Sequence, residues 1–221
     1  MAQRLRKLRD FEIVIVCDNS SSMMTTVDDT QRTRWDELCT IVKIVLDIGV
    51  IFDANGVDIY FINGRSFLNV KDPRIVDQAF AAGPSGYTPL VPVLDKIFQS
   101  PLSHRGRDKK LLVFVATDGV PTDEDGNENV HELERIMWDT RQAETTYVAF
   151  FLCTDDPDCV SYLTKWDQTM KNMDVTDDYY TARDKIRRFH GRNYPFSRGD
   201  YVVKALVGAI DPEIDALSEP T

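Results

Sequence analysis

The chain has 221 residues, 43% of them hydrophobic, and its 36 acidic residues outnumber the 26 basic ones, giving a formal net charge of −10. This length suits one α/β domain, and the acidity argues against the basic surface that nucleic-acid backbones require. The sequence has no apolar run of about 18 residues that would span a bilayer, and no secretion signal. We therefore expect a cytoplasmic protein that inserts into no membrane, whose four cysteines stay reduced.

The composition divides the chain into an N-terminal extension at 1–10, a domain at 11–210 and a C-terminal tail at 211–221. The extension is basic, and the tail is acidic and contains proline. Chain ends of this composition are often unstructured, so the tail is predicted to lack fixed structure.

The first predicted element is a buried strand at 11–17, an unbroken apolar run of the kind found in sheets covered on both faces. Apolar residues then recur at helical spacing through 35–46, which predicts a helix that ends before Gly49. Strands at 57–62 and 67–70 flank Asn63-Gly64, a dipeptide that favours a type I′ hairpin turn. The remaining predicted elements are helices at 73–80, 90–98, 129–142, 160–170 and 201–210, a short helix or turn at 183–190, and strands at 111–116, 146–153 and 173–176.

The alternation of strands and helices predicts an α/β fold: a doubly wound, Rossmann-like and mostly parallel sheet with helices on both faces. The hairpin adds one antiparallel edge strand. In such sheets ligands bind beyond the carboxyl ends of the strands. Side chains that follow a buried strand are therefore the first candidates for a site.

One such junction directly follows the first strand and contains Asp18, Ser20 and Ser22. A carboxylate and hydroxyls are oxygen ligands, which Mg²⁺ prefers, together with several bound waters. Taken alone, these residues are also ordinary turn and N-cap residues.

Two later junctions carry matching chemistry. Thr88 precedes Pro89 at a predicted helix entrance, and Asp118 follows the buried strand at 111–116. Each has an ordinary explanation alone, as an N-cap and as a turn residue before Gly119. Their occurrence together with the first loop favours one cation shared by three loops.

With these residues in this order, the chain resembles the von Willebrand factor A family over about residues 10–210. The metal-ion-dependent adhesion site of that family combines an Asp-x-Ser-x-Ser loop with a distant Thr and a distant Asp. The resemblance extends to integrin I domains and to intracellular members such as copines. The matching residues in this chain are Asp18, Ser20, Ser22, Thr88 and Asp118.

The resemblance implies that Ser20 and Ser22 bind the ion directly and that Thr88 does so in a high-affinity state. Asp18 and Asp118 would act mainly through bound waters. One coordination position would remain for an Asp or Glu carboxylate of a partner protein. The implied function is non-enzymatic adhesion or scaffolding through Mg²⁺ or Mn²⁺, which are favoured over Ca²⁺; the oligomeric state is not implied.

Two alternatives remain open. Doubly wound folds with an Asp after the first strand include metal-dependent phosphoryl-transfer hydrolases, in which that Asp would be the nucleophile. Such enzymes usually place a second Asp two positions later, where this chain has Ser20. The chain could instead be a structural subunit with an idle site. No histidine stands in a recognisable catalytic order with Ser20 or a cysteine, so no catalytic residue is predicted.

The resemblance also implies a switch. In integrin-type members, displacement of the C-terminal helix accompanies high ligand affinity, and the corresponding helix is predicted at 201–210. Variants that loosen the packing of Val203, Leu206 or Val207 are therefore expected to change ligand affinity.

Overall fold

A six-stranded sheet forms the centre of the chain in the computed structural model, which describes residues 2–27, 31–101 and 109–218. The strand order is β3-β2-β1-β4-β5-β6, and every pair is parallel except β2 with β3. This arrangement confirms the predicted fold class. The strands are β1 (Phe11–Cys17), β2 (Val57–Phe61), β3 (Ser66–Val70), β4 (Lys110–Thr117), β5 (Thr146–Leu152) and β6 (Met173–Thr176).

Helices cover both faces of this sheet. Within the described ranges they are α1 (Arg34–Phe52), α2 (Pro73–Phe80), α3 (Leu90–Phe98), α4 (Val130–Arg135), α5 (Pro157–Thr169), α6 (Tyr179–His190), α7 (Arg198–Val207) and α8 (Pro212–Asp215). Short 3₁₀ segments occur at Ala2–Asp10, Ser21–Met24, Gly208–Ile210 and Ala216–Ser218. None of the helices formed by these residues combines the length and the apolar character needed to cross a membrane.

The apolar run of β1 serves two cores at once. Ile15 faces the core that contains Leu206 of α7, whereas Val14 faces the core that contains Leu163 of α5. Successive side chains of a strand point to opposite faces, so a strand covered on both sides must be apolar throughout.

The parallel pairing of β1 with β4 places the candidate loops side by side. Cys17 pairs with Ala116, and the Asp18 amide continues the ladder by donating to the Ala116 carbonyl at 2.9 Å. The loops after both strands therefore leave the sheet at the same edge, which is the edge where doubly wound folds bind ligands.

Helix α1 runs past Gly49, so the prediction that it ends before this glycine is wrong. A Cβ at Gly49 would lie 2.6 Å from Cγ2 of Val57 in β2. The glycine permits close approach of the helix to the sheet, and this packing outweighs its low helix propensity.

The hairpin is present, but its turn is not type I′. That turn needs positive φ at both central residues, and in this turn only Gly64 has it, at 129°. Ile62 to Arg65 separate the strands, and the Phe61 amide donates to the Arg65 carbonyl at 3.3 Å. The side chain and backbone of Asn63 instead bind neighbouring loops.

The helix predicted at 129–142 is shorter and changes type. Helix α4 gives way to a π-helical turn at Ile136–Thr140, where the Arg141 amide donates to the Ile136 carbonyl at 2.9 Å. The Arg141 side chain is buried, and it donates to the carbonyls of Thr146 and Asn172, each at 3.3 Å. Because of these contacts, the α-helix ends before residue 142.

Both terminal segments pack on the domain. Leu8 is fully buried in the core beside α7, and the Arg4 guanidinium pairs with the Asp211 carboxylate at 2.8 Å. Ile214 of α8 is also buried. The prediction that the tail lacks structure is thus wrong for 211–218, because apolar side chains of this segment pack into the core. Residues 219–221 lie outside the described residues.

Candidate metal centre

Asp18 is held rigidly beneath the first loop. Its side chain is fully buried, Oδ1 accepts from the Ser20 amide at 2.9 Å, and Oδ2 accepts from the Thr117 hydroxyl at 2.7 Å. Burial, together with the nearby charge of Asp118, raises the pKa of Asp18 from 3.8 to about 6. The carboxylate is therefore costly to keep charged unless a cation lies near it.

The two serine hydroxyls and the second carboxylate are joined. Ser20 Oγ lies 3.0 Å from Ser22 Oγ, and Ser22 Oγ donates to Asp118 Oδ1 at 2.7 Å. Ser22 is exposed, while Ser20 and Asp118 are buried. Oxygen atoms from two loops, 96 residues apart for Ser22 and Asp118, thus form one continuous group that reaches the surface.

Thr88 belongs to a loop that is tied to the first one. The Ser21 amide donates to the Gly86 carbonyl at 3.1 Å, and the Gly86 amide donates back to Ser21 Oγ at 3.0 Å. Thr88 itself is bound to the loop after Asp118, because its amide donates to Thr122 Oγ1 at 2.9 Å. The structure brings the Thr88 loop against the loop that contains Ser20 and Ser22 (the serine loop), but the backbone of Thr88 bonds Thr122 and Leu90 and not the serines.

A pair of asparagines fixes this arrangement, although the sequence pattern indicates only a turn at Asn63. Asn19 Nδ2 donates to the Asn63 carbonyl at 2.7 Å, and the Asn63 amide donates to Asn19 Oδ1 at 2.8 Å. Asn63 Nδ2 also donates to the carbonyls of Ser85 and Tyr87, at 3.2 and 2.6 Å. The hairpin turn therefore holds both the serine loop and the Thr88 loop.

Arg34, at the first position of α1, also belongs to the site, although no sequence motif marks it. Its Nη1 donates to Asp118 Oδ2 at 2.9 Å, and its Nη2 donates to Thr154 Oγ1 at 2.9 Å. Both oxygens of Asp118 are thus hydrogen-bonded. The one available signal was a basic residue in the first turn of a helix, where acidic residues are usual.

The donor set fits a hard divalent cation. The joined hydroxyl and carboxylate oxygens are the ligand type that Mg²⁺ and Mn²⁺ accept, and nitrogen and sulfur ligands are absent from this group. The hydroxyl of Ser22 can rotate its hydrogen away from a cation and offer it a lone pair. The hydroxyls of Ser20 and Ser22 would lie closest to the ion, with Asp118 beside Ser22 and Asp18 beneath them.

A second acidic cluster lies elsewhere, beside α7. Carboxylate oxygens of Asp167, Asp174 and Asp215 all lie within 4.8 Å of one another. The buried Lys204 ammonium donates to Asp174 Oδ1 at 3.2 Å, and burial together with Asp174 raises the pKa of Asp215 to about 8. Because the Lys204 ammonium already supplies a positive charge to this cluster, we assign the cluster a structural role.

Comparison with known proteins leaves the site as the main guide to function. No protein-family model matches the chain, and no curated protein matches it. Among solved structures, proximal thread matrix protein 1 from the mussel byssus is similar at 18% identity and a TM-score of 0.44. The match covers 64% of this chain and 37% of that chain, so this chain spans little more than a third of that protein.

Proposed function

We propose that the chain is a von Willebrand factor A-type binding domain that uses a Mg²⁺ or Mn²⁺ ion to capture an Asp or Glu carboxylate of a partner protein. The domain is non-enzymatic in this proposal, and its free cysteines suit a reducing, cytoplasmic compartment. The residues assigned to the ion are Asp18, Ser20, Ser22, Thr88 and Asp118.

One observation carries the proposal: Ser20 Oγ, Ser22 Oγ and Asp118 Oδ1 form a chain of hydrogen-bonded oxygens at the carboxyl edge of the sheet, with Asp18 buried beneath it. A turn serine satisfies local backbone groups and has no need of a carboxylate from another loop. The convergence is better explained by a shared ligand.

The charge of the bound ion would be only partly offset. Both oxygens of Asp18 are already bonded to protein donors, and both oxygens of Asp118 are bonded to Ser22 and Arg34. Neutral hydroxyls would then be the closest ligands. An ion held in this way retains a strong attraction for an external carboxylate.

The surroundings of the site suit a protein more than a small carboxylate. Met24 and Tyr87 lie on the loops that supply the serines and Thr88, and they are 55% and 57% exposed. The Tyr87 ring is held against Gly126, where an added Cβ would lie 2.7 Å from the ring. Exposed Met and Tyr side chains are enriched in protein interfaces.

The geometry argues against the alternative of a phosphoryl-transfer hydrolase. A nucleophilic carboxylate needs an oxygen directed at the substrate, whereas Asp18 is fully buried and uses both oxygens internally. Hydrolysis of p-nitrophenyl phosphate that Asp18→Asn abolishes would favour the hydrolase and contradict the binding proposal.

Calorimetric titration with Mg²⁺ tests the proposed function. We expect one Mg²⁺ per chain, and we expect Asp18→Ala and Ser20→Ala each to weaken binding by at least about tenfold. Ser161→Ala, which alters an exposed serine of α5, is the matched control and should bind as the unaltered protein does. Equal affinity in all four proteins would exclude this site.

A further inference from the structure

Arg34 brings a positive charge into the candidate metal centre. Its guanidinium bonds Asp118 and Thr154 through two different nitrogens, each at 2.9 Å. The Arg34 side chain is only 17% exposed, and that of Asp118 is fully buried. This ion pair is therefore shielded from solvent, unlike a surface pair, and its charge acts strongly on its neighbours.

The position of Arg34 is unfavourable apart from these contacts. It occupies the first turn of α1, where the helix dipole disfavours cations. Thr154 is itself buried and fixed, because its hydroxyl also accepts from the Asp156 amide at 3.1 Å. The hydrogen bonds to Asp118 and Thr154 thus hold the Arg34 guanidinium at the positive end of a helix, in direct contact with Asp118, which is assigned to the metal.

Arg34 changes the net charge of the metal-loaded centre. In formal charge the carboxylates of Asp18 and Asp118 together equal the two charges of Mg²⁺, so without a further cation the centre as a whole would carry no net charge, even with neutral hydroxyls closest to the ion. The guanidinium of Arg34 adds one positive charge. A neutral centre binds a water or an amide oxygen nearly as well as a carboxylate, whereas a positive centre favours the carboxylate.

We propose that Arg34 sets the ligand preference of the metal centre: it weakens binding of the cation and leaves the loaded centre positive, so that an anionic carboxylate is selected over neutral oxygen ligands. The proposal rests on the proposed function and specifies how this chain achieves it. Arg34 acts through Asp118 and the ion, so it is a specificity-determining residue that need not touch the partner.

The first test measures the affinity for Mg²⁺ by calorimetry. Arg34→Gln and Arg34→Met remove the charge, and each is expected to bind Mg²⁺ about tenfold more tightly than the unaltered protein. Arg34→Lys keeps the charge and should stay near the unaltered affinity. Arg198→Gln is the matched control. Arg198 and Arg34 both line a cavity between α1, the end of β5 and the start of α6, but Arg198 contacts Glu37 and Tyr179 instead of Asp118.

The second test uses acetate and acetamide as probes of the loaded centre. Each is titrated into protein saturated with Mn²⁺, and water-proton relaxation reports displacement of a bound water. The unaltered protein should bind acetate in preference to acetamide. Arg34→Gln and Arg34→Met should bind acetate about tenfold more weakly, although they bind Mn²⁺ more tightly. A merely structural role of Arg34 would not change the two affinities in opposite directions.

The outcomes separate the two proposals. Absence of Mg²⁺ binding to the unaltered protein would overturn the proposed function itself. Mg²⁺ binding that Asp18→Ala removes, but that both neutral Arg34 variants leave equal or weaken, would overturn only the role of Arg34. Circular dichroism on every variant establishes that the fold is retained, and two neutral side chains of different polarity are used so that one unfolded variant does not decide the result.

Discussion

Asn63 shows how one side chain can organise a site without being a ligand. It lies in the hairpin turn, yet its amide group donates to the carbonyls of Ser85 and Tyr87, and its backbone exchanges two hydrogen bonds with Asn19. Replacing it would release the loop that leads to Thr88 while leaving all five assigned ligands in the chain. Outer residues of this kind control how well the inner ones are positioned.

We predict that Asn63→Ala lowers the free energy of unfolding by about 1 to 2 kcal/mol, because two backbone carbonyls lose their donor. It should also weaken Mg²⁺ binding by about tenfold, because the Thr88 loop is no longer fixed. Urea denaturation and calorimetry measure the two effects. Asn127→Ala, which removes an exposed side chain bonded to Asp123, is the control and should leave Mg²⁺ affinity unchanged; an equal loss in both variants would contradict the prediction.

In the metal-free protein, the buried Asp18 carboxylate lowers the free energy of unfolding by an amount that depends on pH. Its pKa is raised from 3.8 to about 6 by burial and by Asp118, so the folded state holds this proton more tightly than the unfolded state does. The resulting stability is present below about pH 4 and is lost as the pH rises through about 6. At pH 7.5 the buried charge costs on the order of 2 to 3 kcal/mol.

We therefore predict that Asp18→Asn stabilises the metal-free protein at pH 7.5 by about 1 to 3 kcal/mol while abolishing stabilisation by Mg²⁺. The asparagine can still accept from the Ser20 amide and can donate to the Thr117 hydroxyl. Urea denaturation in EDTA at pH 7.5 and pH 4.5 measures the gain, which should shrink at the lower pH. A variant less stable than the unaltered protein at pH 7.5 would contradict the assigned cost.

At the residue scale the sequence indicates the five residues assigned to the ion, which stay a prediction, but not the residues that support them. Asp18, Ser20 and Ser22 share a short motif, and Thr88 and Asp118 stand at recognisable junctions. Arg34 contacts Asp118 across 84 residues, and that pairing depends on how α1 meets the sheet. Local pattern cannot specify such a contact, because it arises only when separate elements are packed together.

Helix α7 is packed on several sides. Residues 201–207 are all buried, and the helix is covered by the sheet on one side and by the N-terminal segment around Leu8 on another. Lys204 is buried with them and is paired with Asp174. Displacement of this helix, as the switch hypothesis requires, would have to expose or repack these contacts.

We predict that Leu206→Ala lowers the free energy of unfolding by about 2 to 5 kcal/mol, because it leaves a cavity in the core. Ile51→Ala is the control, since Ile51 of α1 is 73% exposed and its truncation should cost less than about 0.5 kcal/mol. Urea denaturation measures both. If α7 acts as a switch, the folded Leu206→Ala protein should also show altered affinity for the partner or for acetate on the loaded centre; unchanged affinity would count against the switch.

The elements themselves were largely predictable, and the exceptions have one cause. Strands and helices alternate as the apolar periodicity indicates. The local pattern predicts a helix end at Gly49 and a type I′ turn at Asn63-Gly64, because these residues usually occur in those positions. In the structure Gly49 has no side chain and so leaves room for Val57, and Asn63 binds the neighbouring loops. Tertiary contacts thus override local preference at positions next to the sheet or the site.

For the whole molecule, the net charge of −10 attracts divalent cations without any specific site. A rise in stability with Mg²⁺ is therefore meaningful only when general screening is separated from binding at one place. The Debye length is about 8 Å at an ionic strength of 0.15 M, so diffuse effects of the surface charge are largely suppressed there. Binding at the candidate centre, which is partly buried, should persist.

We predict that Mg²⁺ at about 100 times its dissociation constant stabilises the protein by about 2.7 kcal/mol, which corresponds to a rise in Tm of roughly 5 to 10 °C for a chain of this size.

Thermal unfolding is measured with MgCl₂ and with NaCl at equal ionic strength. At the same Mg²⁺ concentration the rise should fall to about half or less in Ser20→Ala, whose affinity is at least about tenfold weaker, and it should persist in Ser161→Ala. An equal rise in both variants, or an equal rise with NaCl, would show that the cation acts on the acidic surface as a whole. Because a cation that binds only the folded state stabilises it by RT ln(1 + [Mg²⁺]/Kd), a rise in Tm that follows this dependence and is reduced in Ser20→Ala links the joined oxygens of Ser20, Ser22 and Asp118 to the stability of the entire domain.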